Sequence, residues 1–365
     1  MSSNGGVVSS AAVGPPPGMK VRLSSNESAF GPSPAAVEAI RASAADVHLY
    51  PDDQSVALRT ALAEVEGAAG TGEVSLGTGS AALLMDLIAH ECRDGGSVLA
   101  YERSFIVYRL AARNAGVAYV EAPTAGPATA GADGYARDPQ ALLDTIDDDT
   151  RVVVVDNPGN PTGAHLAGEG LAAVVAGVPE HVTLVVDEAY WQYAGGLRGY
   201  ARARELDVTH PRLLVLSTFS KAYALAGLRV GYVVGPDAIV SSVDAWRARF
   251  NVNGPAQAAA LASLEDTAHL ERAVAGTLEG RERMAAGLRE LGVPFTDGLG
   301  NFLTIELGTP AASVVEAFAA HGVGVRPLAP YGMLEQVRVS VGTSDEVDAF
   351  LEAARDVLAD VPSRS

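Results

Sequence analysis

Cysteine is almost missing from this chain. Cys92 stands alone, which excludes an internal disulfide and a cysteine-ligated metal cluster. Basic residues are short as well: 26 Lys and Arg face 44 Asp and Glu, for a formal charge of -18. No basic stripe is left to grip a polyanion, so nucleic acid is set aside as a partner. The seven histidines show no metal-ligand spacing. No apolar run approaches the roughly 18 residues of a membrane-crossing helix. Residues 1–18 lack the basic start and long apolar core of a signal peptide. What is present is a hydrophobic fraction of 48% over 365 residues, ample for a core in two domains or in one large unit with an appendage. These limits describe an acidic, cytoplasmic enzyme with no metal and no membrane partner.

Residues 1–20 read as a flexible leader, dominated by Gly, Ser, Ala and Pro up to Pro15-Pro16-Pro17-Gly18. Beyond it, short β-branched runs at 97–100, 117–120, 151–155, 183–186, 213–216 and 229–234 alternate with helical patterns at 34–45, 55–66, 80–91 and 105–115. That texture predicts parallel strands buried on both faces. The stretch 124–134 reads as a surface loop. After Trp246 the pattern changes. Helical stretches over 256–270 and 271–291 are followed by strand-like segments at 301–307, 324–327 and 336–341, with helices near 311–321 and 345–358. The expected fold is α/β: a large domain over 46–246 with a mostly parallel sheet sandwiched by helices, and a smaller α+β domain from 21–45 and 247–365.

Three strand-like runs end in polar clusters. The first leads into Asp156-Asn157-Pro158-Gly159-Asn160-Pro161-Thr162-Gly163, the second into Asp187-Glu188-Ala189-Tyr190, and the third into Ser217-Thr218-Phe219-Ser220-Lys221. Each alone reads equally well as a turn with polar caps. Together, at the carboxyl ends of neighbouring strands, they predict one pocket. Lys221 sits among apolar neighbours, where lost hydration favours the neutral amine, a form able to attack a carbonyl. A lysine that ends a strand and points to water is the plain alternative. Arg229, eight residues on, supplies a fork suited to phosphate. The small-residue turn Gly77-Thr78-Gly79-Ser80-Ala81 opens a helical stretch, a placement that presents N–H groups to an anion. It is neither a P-loop nor a complete dinucleotide fingerprint.

With Asn160-Pro161-Thr162-Gly163, Asp187-Glu188-Ala189-Tyr190 and Ser220-Lys221 followed by Arg229, the chain resembles the fold-type-I pyridoxal-phosphate aminotransferases, whose architecture is that of aspartate aminotransferase. Leu23-Ser24-Ser25-Asn26-Glu27, Leu49-Tyr50-Pro51-Asp52 and Val337-Arg338-Val339-Ser340-Val341-Gly342-Thr343 resemble the histidinol-phosphate aminotransferase group. Within it, residues 23–34 and Arg103-Ser104-Phe105 are similar to the actinobacterial aromatic (phenylalanine) aminotransferases.

The resemblance implies pyridoxal 5'-phosphate as cofactor, an amino acid and a 2-oxo acid such as 2-oxoglutarate as substrates, and a homodimer. It implies that Lys221 carries the cofactor covalently and shuttles the proton, and that Asp187 pairs with the pyridine nitrogen. Tyr190 and Asn160 are implied at the phenolic oxygen, with Phe105 stacked on the ring. Gly79, Ser80, Ala81, Thr218, Ser220 and Arg229 are implied in a phosphate cup. Tyr50 is implied to reach the phosphate or substrate of the other subunit, and Arg338 and Asn26 to meet the substrate. Arg326 is open between a distal-anion contact and a surface arginine.

The chain departs from the family pattern at three places. Ala81-Ala82 stands where an acidic residue is common, Gly159 where Asn is common, and Ala224 where Gly is common. For the amino donor, an aromatic amino acid leads, with histidinol phosphate or a specialised substrate as the alternative. A decarboxylase or lyase on the same scaffold and a cofactor-binding regulator are the other classes. The first loses ground to the carboxylate-gripping arginine, the second to the absence of a DNA-reading module.

Overall fold

The computed structural model describes residues 19–127 and 134–359. The middle of the expected 124–134 loop and all but Met19 and Lys20 of the expected leader lie outside them. Lys20 N donates to the Gly322 carbonyl at 2.9 Å.

After β1 (Val21–Arg22), the chain builds a seven-stranded sheet from β2 (Val74–Gly77), β3 (Ser97–Tyr101), β4 (Ala118–Ala122), β5 (Thr150–Asp156), β6 (Thr183–Asp187), β7 (Leu213–Thr218) and β8 (Gly231–Val234), in the order β2-β8-β7-β6-β5-β3-β4. Successive valines of β5 show why the sheet is covered twice, because neighbouring side chains point to opposite faces. Val152 and Val154 join an apolar cluster with α3 (Ser80–Glu91), α4 (Val107–Ala115) and α8 (Asp237–Trp246). Val153 and Val155 join one with α5 (Pro139–Asp144) and α6 (Gly168–Gly177).

The sheet is parallel except for β8, which runs antiparallel to both β2 and β7. The strand-like run at 229–234 carries no mark of that reversal. It follows from the connection: only twelve residues join β7 to β8, with no crossover helix among them, and a parallel return usually needs one. The sequence reading lacks β2, which is four residues long with a serine and a glycine. It also lacks α6, whose glycines depress helix propensity although its Leu171, Val174 and Val175 are buried.

The C-terminal sheet has the order β12-β13-β10-β9, from β9 (Phe295–Thr296), β10 (Phe302–Glu306), β12 (Arg326–Pro327) and β13 (Gln336–Ser340), while β11 (Val323–Gly324) pairs with β1. Its core gathers Leu23, Leu303, Ile305, Val337 and Val339 with α10 (Thr267–Glu290), α11 (Ala311–Ala320) and α12 (Ser344–Val357).

Two sequence expectations are corrected. The helical break falls at Asp266, not after 270, because the Asp266 carboxylate accepts from His269 N and caps α10. The expected small domain also contains segments that pack elsewhere. α1 (Pro34–Ser43) lies along α9 (Gly254–Glu265), and both share a cluster with Leu58 and Leu62 of α2 (Val56–Glu66), Val74 and Tyr232. Apolar burial therefore attaches residues 34–43 and 254–265 to the edge of the large sheet.

Candidate active site

Asp156 closes β5 and Asp187 closes β6, and the two are register partners; Thr218 closes β7 beside them. Tight turns follow, so Asn160, Tyr190 and Lys221 emerge at one sheet edge, the place where open α/β sheets bind ligands. Together with β12 and β13 of the small domain they enclose a cavity of about 700 Å³. The sequence-predicted residues line it, Arg326 included, with two exceptions. Gly79 caps α3 just behind Ser80, and Tyr50 lies elsewhere.

One end of the cavity is built for an anion. Thr218 and Ser220 hydroxyls are 3.0 Å apart, and Arg229 Nη1 lies 3.4 Å from Ser220 Oγ. The first turn of α3 opens here with no side-chain cap; the Ala82 N–H is taken by the Gly79 carbonyl at 3.2 Å, while Ser80 and Ala81 line the cavity at the helix start. Two glycines permit the approach. A Cβ on Gly79, whose φ is +82°, would lie 2.5 Å from Arg229 Nη2, and one on Gly231 would lie 2.1 Å from Ser80 N.

The middle holds the reactive groups. Burial lowers the Lys221 ammonium to about 8, with Arg338 and Arg229 adding to the effect, and its Nζ donates to the Asn26 carbonyl at 3.2 Å. Burial pushes the Asp187 carboxyl up to about 7, although hydrogen bonds from Tyr108 Oη (2.8 Å) and Ala189 N (3.1 Å) pull it back. Neither partner is a cation. Tyr190 Oη accepts from Asn26 Nδ2 at 3.0 Å, which leaves its own proton to donate. Asn160 Oδ1 accepts from Arg338 Nη1, which commits the amide oxygen and frees Nδ2 as a donor.

At the far end, Arg326 and Arg338 face each other as register partners across β12 and β13. Both donate to the Ser24 carbonyl, at 2.9 and 3.0 Å. Arg338 is 6% exposed, and its Nε is buried without a partner. Like charges directly opposite on a sheet repel, so this arrangement calls for an anion between them.

These donors suit pyridoxal phosphate. The α3 turn with Ser220 and Arg229 fits a phosphate, the uncompensated Asp187 a ring nitrogen cation, and the Tyr190 and Asn160 donors a phenolic oxygen.

Tyr50 is 84% exposed and stacks on Phe250 at 4.7 Å, outside its own chain's cavity. Sequence reasoning missed Tyr108 as a site residue, though it follows Phe105 by three residues, in the first turn of α4, and its N–H donates to the Phe105 carbonyl at 3.0 Å. It also missed Arg137, which pairs with Asp156, and Tyr331, which lines the cavity. Ala224 has φ +57°, a left-handed conformation that explains why glycine suits that position.

The family model for aminotransferase class I and II matches residues 18–353. Histidinol-phosphate aminotransferase 2 of Methylococcus capsulatus is 43% identical over 343 residues, covering 93% of this chain and 90% of the relative. Histidinol-phosphate aminotransferase of Akkermansia muciniphila is 38% identical over 343 residues, with 93% and 90% covered. Among solved structures, histidinol-phosphate aminotransferase from Sinorhizobium meliloti in complex with pyridoxal-5'-phosphate aligns with TM-score 0.83 and 26% identity over 94% of this chain and 92% of that one. These relatives carry the histidinol-phosphate name rather than the aromatic name that leads the sequence reading. The chain belongs to the class I and II aminotransferases and is a pyridoxal-phosphate-dependent transaminase of fold type I.

Proposed function

We propose that the enzyme transfers the amino group of histidinol phosphate to 2-oxoglutarate. The observation that carries this reading is the Arg326–Arg338 pair across β12 and β13. An aromatic amino acid brings one carboxylate and would leave the second guanidinium facing a ring. Histidinol phosphate brings a phosphate and 2-oxoglutarate brings two carboxylates, so both use a doubly cationic cavity. The histidinol-phosphate relatives support the same choice over the aromatic one.

The cofactor supplies an aldehyde that takes up the amino group and a protonated ring that withdraws electrons from the substrate carbon. Asp187 holds the proton on the ring nitrogen. Lys221 carries the cofactor and moves the proton, Tyr190 and Asn160 donate to the phenolic oxygen, and Phe105 covers the ring. The α3 turn, Thr218, Ser220 and Arg229 fix the phosphate. Arg338 takes the carboxylate of the 2-oxo acid, and Arg326 takes the second anionic group. The active unit is a homodimer in which Tyr50, exposed beside Val47 and Leu49, reaches the partner's cavity.

A donor panel with 2-oxoglutarate tests the substrate. Histidinol phosphate should exceed phenylalanine in kcat/KM by on the order of 100-fold, because a site built around an anion rejects a donor that lacks it. Arg326→Gln should remove most of that preference while kcat/KM for phenylalanine, which reports the donor half-reaction alone, stays put. Equal turnover of the two donors by the wild type would return the aromatic reading to first place.

The Lys221 environment also sets a pH dependence. Only the neutral amine attacks the cofactor aldehyde, and below about 8 that form is the minority. Attachment to cofactor-stripped protein, followed by absorbance, should accelerate about tenfold per pH unit below 8 and level off above it. An unperturbed lysine would keep accelerating to about pH 10, and that result would contradict the buried amine.

A further inference from the structure

Asp156 has no part in the chemistry above, yet four donors converge on its carboxylate. Arg137 Nη2 (2.6 Å) and Ser104 Oγ (2.9 Å) reach Oδ1, while the backbone N–H groups of Phe105 and Asn160 reach Oδ2 at 3.1 Å each. Arg137 also donates to the Asp156 carbonyl. The side chains of Arg137 and Asp156 are 1% and 4% exposed, and the guanidinium lies 5.1 Å from the Tyr101 ring centroid. A carboxylate that receives donors on both oxygens is favoured in its ionised form, and burial then demands a counter-charge, which Arg137 supplies. Phe105 and Asn160 come from different places in the chain, the turn before α4 and the turn after β5. One oxygen holds both.

Gly159 lies against the same group. A Cβ there would lie 2.3 Å from Arg137 Nη2 and 2.8 Å from its Cζ. Its φ is outside the left-handed region, so the position demands space and not backbone freedom. The end of an arginine normally swings aside. This one is fixed by Asp156 on one edge and Tyr101 on its face, and it cannot move without releasing the carboxylate.

We propose that Asp156 and Arg137 are a positioning pair for the cofactor: the carboxylate fixes Phe105 and Asn160 relative to each other, and Gly159 leaves the space that the guanidinium needs to keep that carboxylate paired. This rests on the reading of the cavity as the pyridoxal-phosphate site.

The test is a double-mutant cycle on the holoenzyme, read by the visible circular dichroism of bound cofactor and by cofactor affinity. Gly159→Ala and Arg137→Met should each weaken cofactor binding by about 30-fold, the lower range for truncating a buried charged pair, and both should diminish the visible dichroism. In the double variant the alanine has no guanidinium to displace, so it should add almost nothing. Arg137→Lys should recover part of the dichroism by keeping the charge. Losses that multiply in the double variant overturn the proposal. So does a fall in melting temperature with unchanged dichroism and affinity, the mark of a merely structural ion pair. Should Arg137→Met not fold, the cycle runs on Arg137→Lys, whose compact head also clears the space; a Gly159→Ala loss as large there as in the wild type overturns the proposal. Wild-type protein that takes up no pyridoxal phosphate is a different failure, because it removes the cofactor reading beneath the proposal.

Discussion

Lys221→Ala will leave a protein that folds but cannot hold pyridoxal phosphate covalently. Borohydride treatment of the wild type should fix the cofactor to the chain, and the same treatment of the variant should leave none attached. No other lysine lines the cavity, so no neighbouring amine can take its place. Loss of the proton transfer alone costs about 100- to 10,000-fold in turnover, and loss of the covalent step adds to it. The variant should still take up free cofactor, because the Arg229 and Ser220 end of the cavity is untouched. A variant that keeps the attached cofactor and near-normal turnover would remove Lys221 from the mechanism.

Asp187→Asn keeps the shape of the side chain and can still accept from Tyr108 Oη, but it cannot pair with a cationic ring nitrogen. Removing one partner of a buried ion pair costs about 3–5 kcal/mol, equivalent to roughly 150- to 5,000-fold. The loss should appear in kcat, since the electron withdrawal that the carboxylate sustains acts on the substrate carbon after binding. Histidinol phosphate and 2-oxoglutarate should keep KM values near those of the wild type, because Arg326 and Arg338 are unaltered. A variant whose kcat is within about threefold of the wild type would show that the Asp187 charge is dispensable.

Which parts of the site were legible in the sequence depends on how local their signals are. The valine run of β5 and the Asp-Glu-Ala-Tyr cluster after β6 each announce themselves within eight residues, and the structure brings them to one edge. The Asp156–Arg137 pair does not: its members are 19 residues apart, separated by α5 and β5, and only the folded chain makes them neighbours. Gly159 and Ala224 look like idle departures from the family pattern until the folded chain shows an arginine against the first and a left-handed backbone at the second. The fold shows the same limit. Apolar runs reveal that a strand is buried but not its direction, so the reversed β8 followed only from its short connection. Helical pattern likewise placed α1 and α9 without revealing which core they would join, since an amphipathic face does not name its partner.

The two arginines of the small domain are not held alike. Arg338 is tied to Asn160, inside the reaction machinery, whereas Arg326 donates, among the described residues, to Ser24 and Ser25 alone. A descendant enzyme under selection for a new amino donor could therefore exchange Arg326 and still hold the α-carboxylate of a 2-oxo acid through the arginine that cannot drift, while the second carboxylate of 2-oxoglutarate would lose its partner. Donor and acceptor side chains that change together around a constant α-carboxylate grip are the pattern of divergence that such unequal anchoring permits.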